Sequence, residues 1–430
     1  MKIIRYAKNK KKWLDNEHYR ESFYNIIQSN GQYSAIYNSA SGAIVILDSN
    51  NMRYDKLNLE EENFRILVEN GFFVPQKIDE YTDYYQYIQF ADKSNINYFT
   101  IIPTTVCNAR CFYCYESDYH KQTLNRNICN KIIEYIWKNI KDKQDFVFDW
   151  YGGEPLLCVD SIDYIISRLL EREDCAKKEW TSSITTNGIL FTENLINHAV
   201  EKWHLEIAHI TIDGTEEEHN RRKKVNLGGR SAFQQTYQAI IELLKAGVYV
   251  NLRIHLDNDN RNSFAQIIND ISAFFEFQNF HVFPTFLFPP TPEIVGNYNY
   301  IVDSEKEDFF YNIFKELFKS NLINVIPDSF PLPRTLGCFA EKSNTIVIAP
   351  DGSLHTCVQG FFEEDKFQKK INVLFRNACE KCRECSFFPI CLGGCLYNRT
   401  LENKHRTPCV RNRFIIKPLL KILLEINKTT

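Results

Sequence analysis

From residue 96 to about residue 300 the chain repeats one pattern, and that repeat limits the fold more than any other feature. A short apolar or alternating stretch is followed by a longer one of helical periodicity. Candidate strands lie at 98–102, 146–150, 183–185, 207–212, 248–255 and 282–287. Helical stretches at 126–141, 161–172, 193–202 and 231–246 separate most of them. Repeated β–α units imply a parallel sheet with right-handed crossovers. Six units fall short of a closed eight-stranded barrel, so the predicted class is α/β with a partial (β/α)6 barrel over 96–300. In such barrels the chemistry gathers at the C-terminal ends of the strands.

The flanks differ from this core. Residues 1–95 hold no cysteine and read as a separate winged-helix-like module. Within it, 33–37 and 43–47 flank Asn38-Ser39-Ala40-Ser41-Gly42 as a hairpin. A helix over 59–70 ends at Gly71. Residues 301–333 form a connector, with a helix over 305–320 and prolines near its end. Residues 334–430 are cysteine-rich and close with an amphipathic helix over 414–426.

A net charge of −3 offers no basic field for nucleic acid. No apolar run reaches membrane-spanning length, and the basic stretch 1–13 lacks the apolar core of a signal peptide. The expected location is therefore cytoplasmic and reducing. Fourteen cysteines are many for that setting, where clustered thiols read as metal ligands and not as disulfides. Cys129, Cys158 and Cys175 stand apart and read as small buried apolar residues.

Cys107-Asn-Ala-Arg-Cys111-Phe-Tyr-Cys114 follows the first strand of the repeat. Three thiolates at these spacings can hold three irons of a [4Fe–4S] cube and leave the fourth iron open. A zinc site would ask for a fourth ligand and paired spacings. Tyr113 flanks the rim of the loop. Tyr151-Gly152-Gly153-Glu154-Pro155 follows the second strand, and its glycines permit close backbone approach to a ligand. Thr185-Thr186-Asn187-Gly188 follows the third strand and Thr211-Ile212-Asp213-Gly214 the fourth. Asp213 reads equally as the cap of the next turn. His219 reads as structural, with Arg221 and Arg222 beside it. Arg253 lies inside the fifth strand, where a guanidinium can pair a carboxylate bidentately.

This set resembles the radical S-adenosylmethionine (SAM) superfamily. The resemblance implies a partial barrel, a cluster on Cys107, Cys111 and Cys114, and SAM chelated at the open iron. It further implies reductive cleavage of SAM to methionine and a 5′-deoxyadenosyl radical that abstracts hydrogen. Gly152, Gly153, Glu154 and Pro155 match the element that holds the methionyl amine. By the same match Tyr113, Asn187, Thr211 and Arg253 are candidate SAM contacts.

A later array, Cys338, Cys357, Cys382, Cys385, Cys391, Cys395 and Cys409, is similar to the SPASM extension of that superfamily. The resemblance implies two auxiliary [4Fe–4S] clusters, three in all. Cys338, Cys357 and Cys395 would serve the first, and Cys382, Cys385, Cys391 and Cys409 the second. The first then lacks a fourth cysteine, and the spare thiol Cys379 is a candidate to close it. Val358 follows Cys357, where sulfatase-maturating relatives carry an aspartate base.

SPASM enzymes act mostly on peptides or proteins. The long stretch before Cys107 resembles the leader-recognition modules of peptide maturases, in which a leader peptide adds a strand to a small sheet. The expected function is therefore maturation of a ribosomally made precursor peptide by a thioether or carbon–carbon cross-link. Its partners would be the precursor with its leader and an electron donor such as flavodoxin or ferredoxin. One alternative is a SPASM enzyme that modifies a protein side chain, as sulfatase maturases do. The other is a non-catalytic iron–sulfur binding protein.

Overall fold

The computed structural model describes residues 1–12, 18–48, 61–91, 97–117, 119–287, 300–320, 329–334, 338–342, 344–359, 380–395 and 412–427. Cys379 and Cys409 lie outside the described residues. The chain forms two compact units. One comprises residues 1–93, 302–342 and 370–430, the other residues 94–301 and 343–369.

The first unit carries β1 (Lys2–Arg5), β2 (Tyr19–Glu21), β3 (Asn25–Ser29), β4 (Tyr33–Asn38), β5 (Ile44–Asp48) and β6 (Phe73–Pro75). Four strands make an antiparallel sheet in the order β1-β5-β4-β3, and β2 pairs with β6. The expected hairpin is β4–β5, and the helix before Gly71 spans Glu61–Glu69. Ala43, Val45 and Leu47 pack with Ile36, Leu67, Val68 and Phe72 in one core.

The N-terminal residues do not stand apart from the C-terminal ones. Tyr84, on helix Glu80–Ala91, donates its hydroxyl to the Arg334 and Pro389 carbonyls at 2.9 and 3.2 Å. Helix Asn412–Ile426 packs on β3, β4 and helix Lys306–Lys319. Only Arg413, Lys417, Lys421 and Glu425 are exposed along that helix, one narrow stripe at i+4 spacing. This is the amphipathic helix expected over 414–426, with an apolar face that covers most of its circumference.

In the second unit β7 (Tyr98–Thr104), β8 (Asp145–Gly152), β9 (Glu179–Thr186), β10 (Leu205–Ile212), β11 (Tyr249–Leu256) and β12 (Phe280–Phe286) lie side by side, all parallel and in chain order. This is the predicted (β/α)6 array. Two strands join its open edge: β13 (Thr345–Ile348) runs parallel to β7, and β14 (Leu354–His355) pairs antiparallel with β13. Helices Arg126–Ile140, Val159–Leu170, Glu193–Trp203 and Ala232–Lys245 alternate with the strands. Strands β8, β10 and β11 turn one apolar row into the core, as Phe146, Phe148 and Trp150 do in β8. The other row of β8 is half-buried and carries Asp149 and Tyr151. That period of two leaves one sheet face for the helices and one for chemistry. Cys129, Cys158 and Cys175 are buried core residues, as expected.

Candidate functional site

The loop bearing Cys107, Cys111 and Cys114 leaves the end of β7 and returns beside it. Thr105 N–H donates to the Gln122 carbonyl at 2.9 Å, and Thr105 Oγ1 donates to the His120 carbonyl at 2.7 Å. Leu124 N–H donates to the Pro103 carbonyl at 2.9 Å. The two ends of the loop are thereby pinned together, and the cysteines between them are half-buried. Burial pushes the Cys107 thiol up to about 11 and the Cys114 thiol up to about 12, and it raises Cys111 as well.

Gly152 and Gly153 end β8 against this loop. A Cβ on Gly153 would stand 2.4 Å from the Val106 carbonyl oxygen, and one on Gly152 would stand 2.5 Å from that of Thr104. Gly153 N–H donates to Thr104 O and Glu154 N–H to Val106 O, each at 3.0 Å. The close approach that the glycines permit is therefore to the cysteine loop itself. Glu154 is fully buried. Its carboxylate accepts from Leu156 N at 3.1 Å, Thr186 Oγ1 at 2.8 Å and Asn187 N at 2.9 Å. It caps the short turn Pro155–Cys158, with Pro155 in the first position, where its missing N–H costs nothing. Burial raises the Glu154 carboxyl, against three donors that favour the charged form. The sequence suggested an ammonium partner for Glu154; the structure gives its side chain protein donors, tying the end of β8 to that of β9.

Asn187 continues the tie. Its Nδ2 donates to Asn108 Oδ1 at 2.7 Å and lies 3.9 Å from Cys107 Sγ. Thr236 Oγ1 donates to the Asn187 carbonyl at 2.9 Å. The ends of β7, β8 and β9 are thus bonded to one another around the cysteine loop.

Beyond β10, Asp213 has no solvent exposure and does not cap the following helix. That position is taken by Thr215, in a capping box with Glu218 that starts helix Glu216–Lys223. Tyr113 donates its hydroxyl to both Asp213 oxygens, at 2.7 and 2.8 Å. Lys223 Nζ lies 3.2 Å from Oδ2, and His255 Nδ1 lies 3.2 Å from Oδ1. Burial alone would raise this carboxyl; Lys223 and His255 hold it well below the usual carboxylate range. His219 is buried, accepts from Asp213 N through Nδ1 at 3.3 Å, and is pushed down to about 3 by burial and by Lys223. Arg222 pairs with Asp257 at 2.8 Å over the Phe112 ring, while Arg221 is exposed. Lys223 was not singled out from the sequence. Its signal is the capping box, which sets the helix register and places 219, 222 and 223 on one inward face.

Thr211 and Arg253 are cross-strand neighbours on the half-buried face of β10 and β11. The Arg253 guanidinium lies over the Phe283 ring at 5.3 Å, and among the described residues no carboxylate pairs with it. On β8, Tyr151 shares a 2.8 Å hydroxyl contact with Tyr115 of the cysteine loop. Val358 packs with Tyr119 and Tyr151 against Ile102, Val347 and Ala349.

Among the later cysteines, Cys357 falls in the second unit, and Cys338, Cys382, Cys385, Cys391 and Cys395 fall in the first. Leu392, Gly393 and Gly394 all have left-handed backbone, with φ of 52°, 87° and 82°. That run turns the chain between Cys391 and Cys395, with Leu392 N–H donating to the Phe388 carbonyl at 2.7 Å and Gly394 N–H to that of Cys391 at 3.1 Å.

No three His, Cys, Asp or Glu among the described residues converge on one metal ion. A cubane makes no such demand, because each thiolate takes its own iron. The donor set fits one: three soft sulfurs on a pinned, half-buried loop, close enough that the charges of Cys107 and Cys111 bear on Cys114.

Residues 101–271 match the family profile of the radical SAM superfamily. The chain is 24% identical over 328 residues to a cysteine-type anaerobic sulfatase-maturating enzyme of Clostridium perfringens, spanning 67% of this chain and 85% of that protein. It is also 24% identical over 345 residues to the serine-type enzyme of Bacteroides thetaiotaomicron, spanning 68% and 81%. Among solved structures, native anSMEcpe with bound AdoMet and Cp18Cys peptide is 20% identical. It matches 78% of this chain and all of that one at a TM-score of 0.57, a likeness of fold.

Proposed function

We propose, for a chain that carries a radical SAM domain and is an enzyme of that class, that it abstracts hydrogen from a side chain of a peptide or protein. SAM and a [4Fe–4S] cluster are its cofactors. The observation that carries the reading is the pinned loop of Cys107, Cys111 and Cys114, bonded to the end of β9 through Asn187 and Asn108 and pressed by Gly152 and Gly153. These three cysteines hold the cluster. When bound, it supplies the electron that cleaves SAM to methionine and a 5′-deoxyadenosyl radical. The backbone at Gly152–Pro155, Asn187 and Thr211 takes SAM, with Tyr113 at the rim. The Arg253 guanidinium, half-buried on the polar face, takes a carboxylate. Glu154 keeps three strand ends in place.

The later cysteines hold two auxiliary clusters in this proposal, Cys338, Cys357 and Cys395 for one and Cys382, Cys385, Cys391 and Cys409 for the other. A flavodoxin or ferredoxin delivers electrons in a reducing cytoplasm. Three cubanes correspond to ~12 iron atoms per chain.

Two substrate readings have separate support. The relatives are sulfatase-maturating enzymes, which favours modification of a protein side chain and the alternative weighed above. Two features favour a precursor peptide and a thioether or carbon–carbon cross-link. Val358 packs in an apolar group where a sulfatase maturase would carry its base. β3 forms the edge of the antiparallel sheet among the described residues, so a leader strand can add to it. Anaerobically reconstituted protein with SAM and dithionite is expected to release 5′-deoxyadenosine. No release, with or without a peptide, rejects the proposal. Conversion of a sulfatase-derived cysteine or serine peptide to an aldehyde-bearing formylglycine selects the first reading, and a mass loss of two hydrogens with no aldehyde formed, in a peptide joined by a new thioether or carbon–carbon bond, the second.

A further inference from the structure

The ion pair Lys223–Asp213 is buried beside the cysteine loop. Replacing such a pair with apolar side chains is often neutral or stabilising, so its presence asks for a purpose. We propose that Lys223 and Asp213 are positioning residues that set the reduction potential of the cluster on Cys107, Cys111 and Cys114, with the ammonium easing reduction and the carboxylate opposing it.

The geometry holds the pair still. Helix Glu216–Lys223 begins at the capping box of Thr215 and ends at Lys224, whose backbone is left-handed with φ 49°. Both ends being fixed, Lys223 has no register freedom. Its carbonyl accepts from Arg110 N at 2.8 Å, one residue before Cys111. Its Nζ lies 3.2 Å from Asp213 Oδ2 and 3.3 Å from the Tyr113 hydroxyl, two residues after Cys111. The pair therefore touches the loop on either side of one cluster cysteine. Asp213 is held by Tyr113 and His255 through its carboxylate and by Asn260 Nδ2 at 2.9 Å through its carbonyl. Lys223 is 3% exposed and Asp213 is not exposed at all, so water screens neither charge. Among the charges acting on Lys223, Asp213 is followed by Cys111 and Cys107, and all favour the ammonium.

Adding one electron to the cluster adds one negative charge, and cluster potentials respond to nearby charge and to hydrogen bonds at the sulfurs. The ammonium bears on Cys111 more strongly than the carboxylate does. Removing it leaves the carboxylate acting alone, and removing the carboxylate leaves the ammonium acting alone. The two changes must move the potential in opposite senses. A purely structural pair has no such property, because either loss would then disturb the loop in the same way.

This inference rests on the radical SAM reading, and its test separates the two. Full-length wild type, K223M, D213N, the double variant and K223R are reconstituted anaerobically and titrated by EPR-monitored potentiometry. The component that SAM addition perturbs is followed. At a fixed poise near the wild-type midpoint, K223M should lower the reduced-to-oxidised ratio at least tenfold, equal to ~59 mV for one electron. D213N should raise that ratio by a similar factor. The double variant and K223R should lie within threefold of wild type. Shifts of the same sign in K223M and D213N, or shifts below threefold in both, overturn the proposal. Where K223M loads no cluster, D213N decides: an unmoved or lowered ratio overturns it. Absence of a SAM-sensitive signal in wild type rejects the radical SAM reading instead.

Discussion

Gly153→Ala is the sharpest test of the cysteine loop's placement. The added Cβ would stand 2.4 Å from the Val106 carbonyl oxygen, 2.7 Å from its carbonyl carbon and 2.8 Å from that of Thr105. All three are backbone atoms, so no flexible side chain can swing aside. Real Cβ contacts of this kind do not fall below 3.0 Å, so the loop must retreat by more than half an ångström. That retreat stretches two backbone bonds, Gly153 N to Thr104 O and Glu154 N to Val106 O, each 3.0 Å now. A net ~1 kcal/mol for each bond and ~1–3 kcal/mol for overpacking give a cost of about 3–5 kcal/mol. The displacement falls on the residue next to Cys107, and misplacement by ~1 Å can cost ~100-fold in rate. The expected result is a 10- to 100-fold fall in 5′-deoxyadenosine formation, with a lower urea midpoint for the apoprotein. Gly228→Ala is the control: φ is +62° there and nothing lies within 4 Å, so only a backbone cost of ~1–2 kcal/mol is expected. A G153A protein with wild-type iron content and a rate within threefold of wild type would refute the placement.

Glu154→Ala removes the acceptor for Leu156 N, Thr186 Oγ1 and Asn187 N; at ~1–3 kcal/mol per stranded donor, denaturant titration should show a loss of at least about 3 kcal/mol, and E154Q a smaller one. His219 is held near 3 in the fold against an ordinary value of 6.5. Its depressed value favours the fold above pH ~6.5, and stability is lost at ~1.4 kcal/mol per unit as pH falls from there towards 3. His219→Asn keeps an acceptor for Asp213 N and should flatten that slope in urea titrations at pH 7, 5.5 and 4.5; an unchanged slope assigns it elsewhere. Glu80 accepts from Ser22 Oγ, Phe23 N at 2.8 Å and Arg20 Nη1 at 2.8 Å. Glu80→Ala should cost roughly 1–3 kcal/mol in the thermal unfolding of the first unit, chiefly because the buried Ser22 Oγ then loses its acceptor.

The barrel was legible because its strands and helices carry unambiguous periods: all six predicted strands lie within or overlap β7–β12. The added strand β13 was not, because Thr345–Ile348 is four residues long and sits among cysteines that drew the reading towards a metal domain. Domain boundaries were legible only for contiguous stretches. The association of residues 1–93 with 370–430 is made by contacts such as Tyr84 to Pro389, and no local pattern in a sequence announces a partner 305 positions away. The strand-end positions of the motifs were legible, since glycine and short polar side chains mark them. Their bonds were not. Whether Asp213 caps a turn or enters a charged network depends on Lys223, ten residues on, and on His255, 42 residues on.

The motif side chains mostly face one another. Glu154 serves Thr186 and Asn187, Asn187 serves Asn108, and Tyr113 serves Asp213. A site built this way is held by bonds between strand ends, some adjacent, as Glu154 with Thr186, and some not, as Tyr113 with Asp213. Such a ring is cooperative: loosening one member strands polar groups on the next, in a setting where an unpaired buried group costs more than a single bond contributes. Thr211 and Arg253, on the half-buried face of β10 and β11, take no part in these bonds and are the residues proposed to meet SAM. The same motif therefore does two separable things, and substitutions divide accordingly. Changes at Glu154 or Asp213 act through loop placement and the local charge, and should alter cluster retention or potential before they alter affinity for SAM. Changes at Arg253, which holds no strand end, should alter that affinity while leaving the cluster in place.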